Sequence, residues 1–227
     1  MTRPTVRSRP IETLRDRKRE QSRAATVEAA WRLFIERGYD HVTVQDICAA
    51  AAIAPRTFHR YFAAKEDVVA EPVRRMTALA HERIAAAPPG TPDAEVLREA
   101  MLAVGRFVID HRELLTALRT VARESAHLRG TQPGVRPDEE HTIAELLRTR
   151  TEQPRATTTE PGAPGSPRTH SPHPRPGDWR RRLLVGCTVA ALRIWYDEYL
   201  RADLDDPIAH LDEILRAVHI EPGRLLV

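Results

Sequence analysis

The segment that follows Pro55 carries the side chains best suited to bind a polyanion. Its polar positions, which include no carboxylate, are Arg56, Thr57, His59, Arg60 and Tyr61. Arginine makes bidentate hydrogen bonds to base edges and phosphates, and hydroxyl groups donate to phosphate oxygens. Phe58 and Phe62 lie four residues apart, so they share one face of a helix and are expected to be buried. The spacing predicts a surface helix whose outer face binds nucleic acid.

Two earlier helices are expected to hold this segment in place. The first ends at Gly38, and its predicted apolar face consists of Val27, Trp31, Phe34 and Ile35. The second begins at Thr43, with Asp46 at the spacing of a capping box, and its predicted buried side consists of Val44, Ile47 and Cys48. A turn at residues 52–54 then leads to Pro55, whose fixed φ suits the first position of a helix. This arrangement predicts a helix-turn-helix head, whose last helix enters the major groove.

Three motifs in this region resemble the TetR family of bacterial repressors. They read A-A-x-x-L-F-x-x-x-G-Y, T-V-x-x-I and P-R-T-F-x-R-Y-F-x-x-K-E, and they fall within about residues 20–70. The resemblance implies that Thr43 caps the second helix and touches phosphate. It implies base or phosphate contacts for Arg56 and Arg60, and phosphate contacts for Thr57 and Tyr61. Lys65 would clamp the DNA backbone from the start of a fourth helix.

The chain departs from the family pattern at three positions of the head. Ala52 stands where the family usually has glycine, and a left-handed backbone there would cost alanine about 1 kcal/mol or more. Ala54 replaces the usual serine cap, which removes an acceptor worth about 1 kcal/mol. His59 replaces the usual tyrosine; it is expected to make a polar DNA contact, and alternatively it could titrate near neutral pH. We therefore expect a head that is less stable than those of its relatives.

Charge is distributed unevenly along the 227 residues. Residues 1–87 carry 16 Lys/Arg against 11 Asp/Glu, whereas the remainder carries 19 against 21, within a net charge of +3. A basic head suits a polyanionic partner. Residues 1–19 are predicted to be a flexible basic arm, which either lies along the minor groove or remains a solvated tail. The predicted boundaries are thus an arm at 1–19, a helix-turn-helix domain at 20–67 and a helical body at 68–227.

The body is predicted to be all-α, with a flexible proline-rich linker at 152–178. Its first helix carries Val68, Val69 and Ile84 and is expected to kink at Pro72. Further helices are predicted from about residue 93, at 112–128, at 138–150, at 179–200 and from residue 206. The last two helices are apolar over broad stripes, which suits pairing with a second copy as a four-helix interface. The family resemblance likewise implies a homodimer.

The resemblance also implies that the body binds a small-molecule effector. Phe107, His111 and Trp195 are candidate walls of the pocket, with an ordinary core role as the alternative for these aromatic residues. The segment D-P-x-A-x-L-D-E-x-L weakly resembles the mycofactocin-type branch of the family, which is associated with acyl-CoA-like ligands, over about residues 180–218. The expected function is a repressor that binds a pseudo-palindromic operator of double-stranded DNA and is released by an apolar or acyl-type ligand.

Other classes of protein have less support. The chain has no glycine-rich phosphate loop, nucleophile motif or metal-ligand spacing, so no catalytic residue, cofactor or metal site is expected. No apolar segment has the length of a signal peptide or a membrane span, which favours a cytoplasmic protein. Cys48 and Cys187 are expected to be small core residues. A helical adaptor and a transcriptional activator remain the alternatives to a repressor.

Overall fold

The computed structural model describes residues 14–125, 128, 137–152 and 178–218. These residues form α-helices, a short 3₁₀ turn and connecting loops, and no strand occurs among them. The helices are α1 (Leu14–Arg37), α2 (Val44–Ala50), α3 (Pro55–Tyr61), α4 (Lys65–Val69), α5 (Glu71–Ala86), α6 (Asp93–Asp110), α7 (Arg112–Glu124), α8 (Pro137–Glu152), α9 (Asp178–Tyr199) and α10 (Pro207–Val218). The predicted all-α fold class is confirmed.

The described residues fall into two compact units. The first unit comprises residues 14–72 with 117–125 and 128, and the second comprises 73–116, 137–152 and 178–218. The end of the basic arm, from residue 14 to residue 19, belongs to α1 and is helical. Residues 1–13 of that arm and residues 153–177 of the predicted linker lie outside the described residues.

The core of the first unit is built on one face of α1. Its buried residues are Thr26, Ala29, Ala30, Trp31, Leu33 and Phe34. The prediction that Ile35 belongs to this face is wrong, because its side chain is 60% exposed. At about 100° per residue, Ile35 is turned about 140° from Ala30, which lies at the centre of the buried face. Gly38 ends the helix with a φ of 79°, as predicted.

The helix expected to kink at Pro72 is instead two helices. The short α4 ends at Val69, Ala70 separates the two, and α5 begins at Glu71. Pro72 therefore occupies the first turn of α5, where its missing N–H group has no intrahelical partner to lose. Val68, Val69 and Ile84 are buried, in agreement with the apolar pattern.

The core of the second unit lies where α6, α9 and α10 pack together. Gly105 on α6 allows α10 to pack closely, because a Cβ atom there would collide with the side chain of Leu211 and would contact that of Ile208 at 3.4 Å. Leu211 is fully buried, so its side chain could make room for a Cβ atom only by displacing its neighbours. Arg98 on α6 donates to the carboxylate of Asp212 on α10, which holds the pKa of Asp212 below its usual range.

One side of α9 carries apolar residues that this chain leaves uncovered. Trp179, Leu183 and Ile194 are 61%, 58% and 54% exposed, and Cys187 is also exposed. The prediction that both cysteines lie in the core therefore holds for Cys48 and is wrong for Cys187. The inward side of the helix carries Val185, Thr188, Val189, Ala191, Trp195 and Tyr199. Within the described ranges, no helix is both long enough and apolar enough to cross a membrane.

Candidate nucleic-acid interface

The start of α2 is closed by the capping box that its sequence predicts. The backbone N–H of Asp46 donates to Oγ1 of Thr43 at 3.2 Å, and the backbone N–H of Thr43 donates to Oδ2 of Asp46 at 2.8 Å. Two backbone donors that the first helical turn would leave unpaired are satisfied in this way. Hydrogen bonds from Thr43 lower the pKa of the Asp46 carboxyl, so the ionised form that closes the box is favoured.

The turn between α2 and α3 contains a residue in the left-handed conformation, and that residue is an alanine. Ala52 has a φ of 52°, and it is the one residue other than glycine with a positive φ among those that the structure describes. Ala54, which precedes α3, is extended and forms no side-chain hydrogen bond to the helix. The left-handed backbone considered for Ala52 and the absence of a side-chain cap at Ala54 are therefore confirmed. Pro55 occupies the first turn of α3, as predicted.

Helix α3 has the two faces that its sequence predicts. Phe58 and Phe62 are 0% and 2% exposed, and their ring centroids lie 5.4 Å apart. Arg56, His59 and Arg60 are exposed, whereas the side chains of Thr57 and Tyr61 are half-buried. The ring of His59 rests edge-on against Phe58, with 5.5 Å between the centroids. All five polar side chains thus lie outside the core, although their contacts with DNA remain a prediction.

Tyr61 lies among hydrogen-bond donors. Nη2 of Arg60 donates to its hydroxyl at 3.2 Å, and the guanidinium of Arg60 lies 5.1 Å from the centre of its ring. Hydrogen bonds from Ser22 and Arg60 lower the pKa of the Tyr61 phenol, and the positive charges of Arg60 and Arg19 act in the same direction. The surroundings of this hydroxyl therefore favour negative charge.

Lys65 already has partners inside the first unit. Its Nζ donates to the carbonyl oxygens of Tyr39 and Val42, both at 3.0 Å, and lies 4.1 Å from the centre of the Tyr39 ring. The Tyr39 hydroxyl in turn donates to Glu66, and burial together with this carboxylate raises the pKa of Tyr39. The side chain of Lys65, which is expected to contact the DNA backbone, is therefore hydrogen-bonded to the loop that precedes α2.

A long-range ion pair that sequence reasoning missed joins α1 to the start of α5. Nη1 and Nη2 of Arg23 donate to the two carboxylate oxygens of Glu71, at 2.7 and 2.5 Å. The same guanidinium lies 5.1 Å from the centre of the Phe62 ring. Arg23 thus contacts both Glu71 and the buried ring of Phe62 at the end of α3. No sequence signal could have revealed this pair, because the two residues are 48 positions apart and belong to different helices.

An open groove lies between the first turns of α1 and the end of α3. It has a volume of about 500 Å³ and is lined by Arg15, Asp16, Lys18, Arg19, Arg60 and Tyr61. Four cationic side chains thus face one carboxylate. Arg60 and Tyr61 belong to the polar face of α3, so the groove is continuous with the predicted binding surface.

The predicted ligand-pocket residues occupy different surroundings in the second unit. Phe107 and His111 stack at the end of α6, with ring centroids 4.1 Å apart and an interplanar angle of 22°. Trp195 stacks on Tyr199, and its Nε1 donates to the carbonyl oxygen of Pro207 at 2.7 Å. The structure therefore brings Phe107 and His111 together, whereas Trp195 packs in the core at full burial.

Comparison with known proteins gives the family of the first unit. A family model described as bacterial regulatory proteins, tetR family, matches residues 27–71. The HTH-type transcriptional regulator TcmR of Streptomyces glaucescens is 42% identical over 71 residues, which is 31% of this chain and 31% of that protein. The match to TcmR therefore covers less than a third of the length of that relative.

Solved structures resemble more of the chain, at low sequence identity. A TetR family transcription regulator from Marinobacter aquaeolei has a TM-score of 0.51 at 16% identity, covering 89% of this chain and 96% of its own. The TetR transcriptional regulator of Nitrosomonas europaea has a TM-score of 0.52 at 12% identity, covering 86% and 94%. These likenesses establish the fold, a helix-turn-helix head with a helical body. The family model and the TcmR match together show that residues 27–71 carry the amino-terminal region of the tetR family of bacterial regulatory proteins.

Proposed function

We propose that this protein is a transcriptional repressor that binds a pseudo-palindromic operator as a homodimer and releases it when a small apolar or acyl-type molecule binds. The observation that carries the proposal is the outer face of α3, where Arg56 and Arg60 are exposed while Phe58 and Phe62 fix the helix in the core. Guanidinium groups held on such a helix can reach guanine edges and phosphates in a major groove. The assignment to a family of regulators also favours a function without catalysis, in the cytoplasm.

The exposed side of α9 supports pairing with a second copy. Trp179, Leu183, Cys187 and Ile194 follow one another at intervals of four, four and seven residues, so they form one stripe along the helix. An apolar stripe exposed over this length is typical of an interface. In an isologous pair, each subunit contributes the same stripe. We expect such a pair to read two operator half-sites one helical turn, about 34–36 Å, apart.

The effector is proposed to bind within the second unit. Phe107, half-buried and stacked on the exposed His111, is the better placed of the predicted wall residues, because Trp195 is committed to the core. To relieve repression, the ligand must bind the DNA-free state more tightly by the coupling free energy, typically about 1–3 kcal/mol. A series of acyl-CoA thioesters of increasing chain length, added to a preformed operator complex, tests this part of the proposal. Release that is insensitive to chain length would contradict an acyl-type ligand.

The central test is a footprint of the purified protein on the DNA upstream of its own gene, at near-physiological salt. We expect a protected pseudo-palindrome that is lost in Arg56→Ala and Arg60→Ala and retained in Arg32→Ala. Arg32 is the matched control, because it is an exposed arginine of the same unit on α1. A reporter fused to the protected site should fall in expression when the protein is present. A rise in expression would identify an activator, and equal binding of all DNA sequences would contradict a specific regulator.

The dimer is tested with two exposed isoleucines. Ile194→Glu places a charge in the α9 stripe, whereas Ile35→Glu places one on an equally exposed position of α1; the native side chains are 54% and 60% exposed. Light scattering should show a monomer for Ile194→Glu and a dimer for Ile35→Glu. Because each subunit of the proposed dimer reads half of the operator, operator affinity should fall only in Ile194→Glu. A dimer that survives Ile194→Glu would exclude this stripe as the interface.

A further inference from the structure

The first turns of α1 present positive charge on one side only. Arg15, Lys18 and Arg19 line the groove beside α3, whereas Arg17 does not. At about 100° per residue, positions 15, 18 and 19 share a face and position 17 points away from it. Arg15, Lys18 and Arg19 therefore form a cationic surface with a defined direction, which Arg17 does not share.

The end of α3 supplies the rest of the groove. Arg60 and Tyr61 line it from the end of α3, and the Tyr61 hydroxyl accepts a hydrogen bond from Arg60. Four cations against the single carboxylate of Asp16 leave an excess of positive charge in about 500 Å³ of open space. Guanidinium and ammonium groups that converge from two helices suit phosphate oxygens, and the open form of the groove suits a strand that passes through it.

We propose that this groove binds the phosphodiester backbone of DNA next to the base pairs that α3 reaches, so that Arg15, Lys18 and Arg19 extend the contact beyond the helix-turn-helix. The inference rests on the proposed DNA-binding function, and it assigns to α1 a part in binding that the family motifs do not contain. Such contacts raise affinity for any sequence, because phosphates carry no direct sequence information. They also steepen the salt dependence of binding, by about 0.9 in the slope of log K against log salt for each phosphate contact.

The experiment measures that slope with operator DNA and with random duplex DNA of equal length. Arg15→Gln/Arg19→Gln and Lys18→Gln remove charges from the groove, and Arg17→Gln is the matched control on the opposite side of the same helix. All four side chains are exposed, so the variants are expected to fold, which circular dichroism and thermal melting check. We expect the groove variants to lose about one slope unit per contact on both DNAs, with the operator preference unchanged. Arg17→Gln should behave as the wild type.

Each other outcome overturns the inference in a recognisable way. Equal losses for Arg17→Gln and the groove variants would mean that the segment acts only through diffuse charge. Unchanged slopes in every variant, together with loss of operator preference in Arg56→Ala, would leave the repressor proposal intact and remove the groove from the interface. If the wild type showed no operator preference, the proposed function would fail, while the slopes on random DNA would still test the groove.

A free phosphate compound has the same chemistry as the DNA backbone, so a second arm separates the two sources. Inorganic phosphate replaces chloride in the buffer, at constant ionic strength, during the measurement with random DNA. We expect no additional displacement of DNA. Calorimetric binding of inorganic phosphate to the wild type that is lost in Arg15→Gln/Arg19→Gln, with no displacement of DNA, would show that the groove holds a free anion apart from DNA and would overturn the assignment to the DNA backbone.

Discussion

The two helices of the helix-turn-helix begin in contrasting ways. At the start of α2, Thr43 and Asp46 satisfy each other's backbone donors. At the start of α3, Ala54 offers no acceptor, and the preceding turn holds Ala52 at a φ of 52°. Helix α3 must therefore be held by its packing, whereas α2 also has a stabilised end. The difference indicates that the helix predicted to face DNA contributes little to its own stability and depends on the core beneath it.

The strongest test of this contrast is removal of that packing. Phe58→Ala should lower the free energy of unfolding by about 3–5 kcal/mol, because it leaves a cavity under a helix that has no other strong anchor at its start. Chemical denaturation measures the loss. His59→Ala, which alters the exposed neighbour, should change stability by less than about 0.5 kcal/mol. A small loss in Phe58→Ala would mean that α3 does not depend on packing in the way we describe.

Removing the cap of α2 should have a smaller effect. Thr43→Ala is expected to cost about 1–2 kcal/mol, because the backbone N–H of Asp46 loses its acceptor. Thr43→Ser keeps the hydroxyl and should restore most of the stability in thermal unfolding. If serine and alanine were equally destabilising, the methyl group of Thr43 and not its hydrogen bond would be responsible.

Replacing the left-handed alanine with glycine should stabilise the turn. Ala52→Gly is expected to gain about 1 kcal/mol, because glycine adopts a positive φ without a steric penalty. Ala51→Gly provides the control, since Ala51 has a φ of −88° and gains nothing from glycine. That variant should instead lose about 0.5–1 kcal/mol through the greater freedom of the unfolded chain. Equal effects of the two variants would contradict a local strain at Ala52.

Giving α3 the missing cap tests the same comparison from the other side. Ala54→Ser should raise the stability by about 0.5–1 kcal/mol, because a hydroxyl could accept from the backbone N–H groups of the first turn. Ala49→Ser, at an exposed position within α2, should instead be slightly destabilising, since serine is a poorer helix former than alanine. An unchanged melting temperature in Ala54→Ser would show that the start of α3 is satisfied by other groups.

Acid should weaken the start of α2 and leave that of α3 unaffected. The pKa of Asp46 is lowered by hydrogen bonds from Thr43, so its contribution is fully present above the ordinary pKa of an aspartate and is lost as the pH falls through the lowered value. The stability difference between the wild type and Asp46→Asn should therefore shrink in acid. Helix α3 has no carboxylate in its first turn. A difference that stays constant with pH would exclude a role for the ionised carboxylate.

Local features of the head were predictable because their causes are local. The capping box at Thr43, the left-handed Gly38 and the buried pair Phe58 and Phe62 each depend on residue types within about one helical turn. The left-handed conformation of Ala52 could be anticipated only through the family resemblance, because alanine itself disfavours it. The helix at Pro72 was misjudged, since the break falls two residues earlier, at Ala70.

The features that were missed depend on distant parts of the chain. Arg23 and Glu71 have no common sequence signal, because they meet through tertiary packing: α1 packs against α4, which ends two residues before Glu71. Ile35 and Leu33 are both large and apolar, and periodicity around Trp31 does not decide which of them is buried. Cys187 shows the same limit on α9, whose apolar residues surround the helix so fully that the uncovered side could not be identified from the pattern.

The positions of the lysines have a practical consequence for any surface-based binding assay. The chain has only two, Lys18 and Lys65. Lys65 is tied by hydrogen bonds to two carbonyl oxygens, so amine-reactive reagents should prefer Lys18 and the α-amino group. Immobilisation through Lys18 would attach the sensor matrix inside the basic groove beside α3. Capture through a carboxyl-terminal affinity tag leaves that groove accessible and avoids mistaking a blocked surface for weak binding.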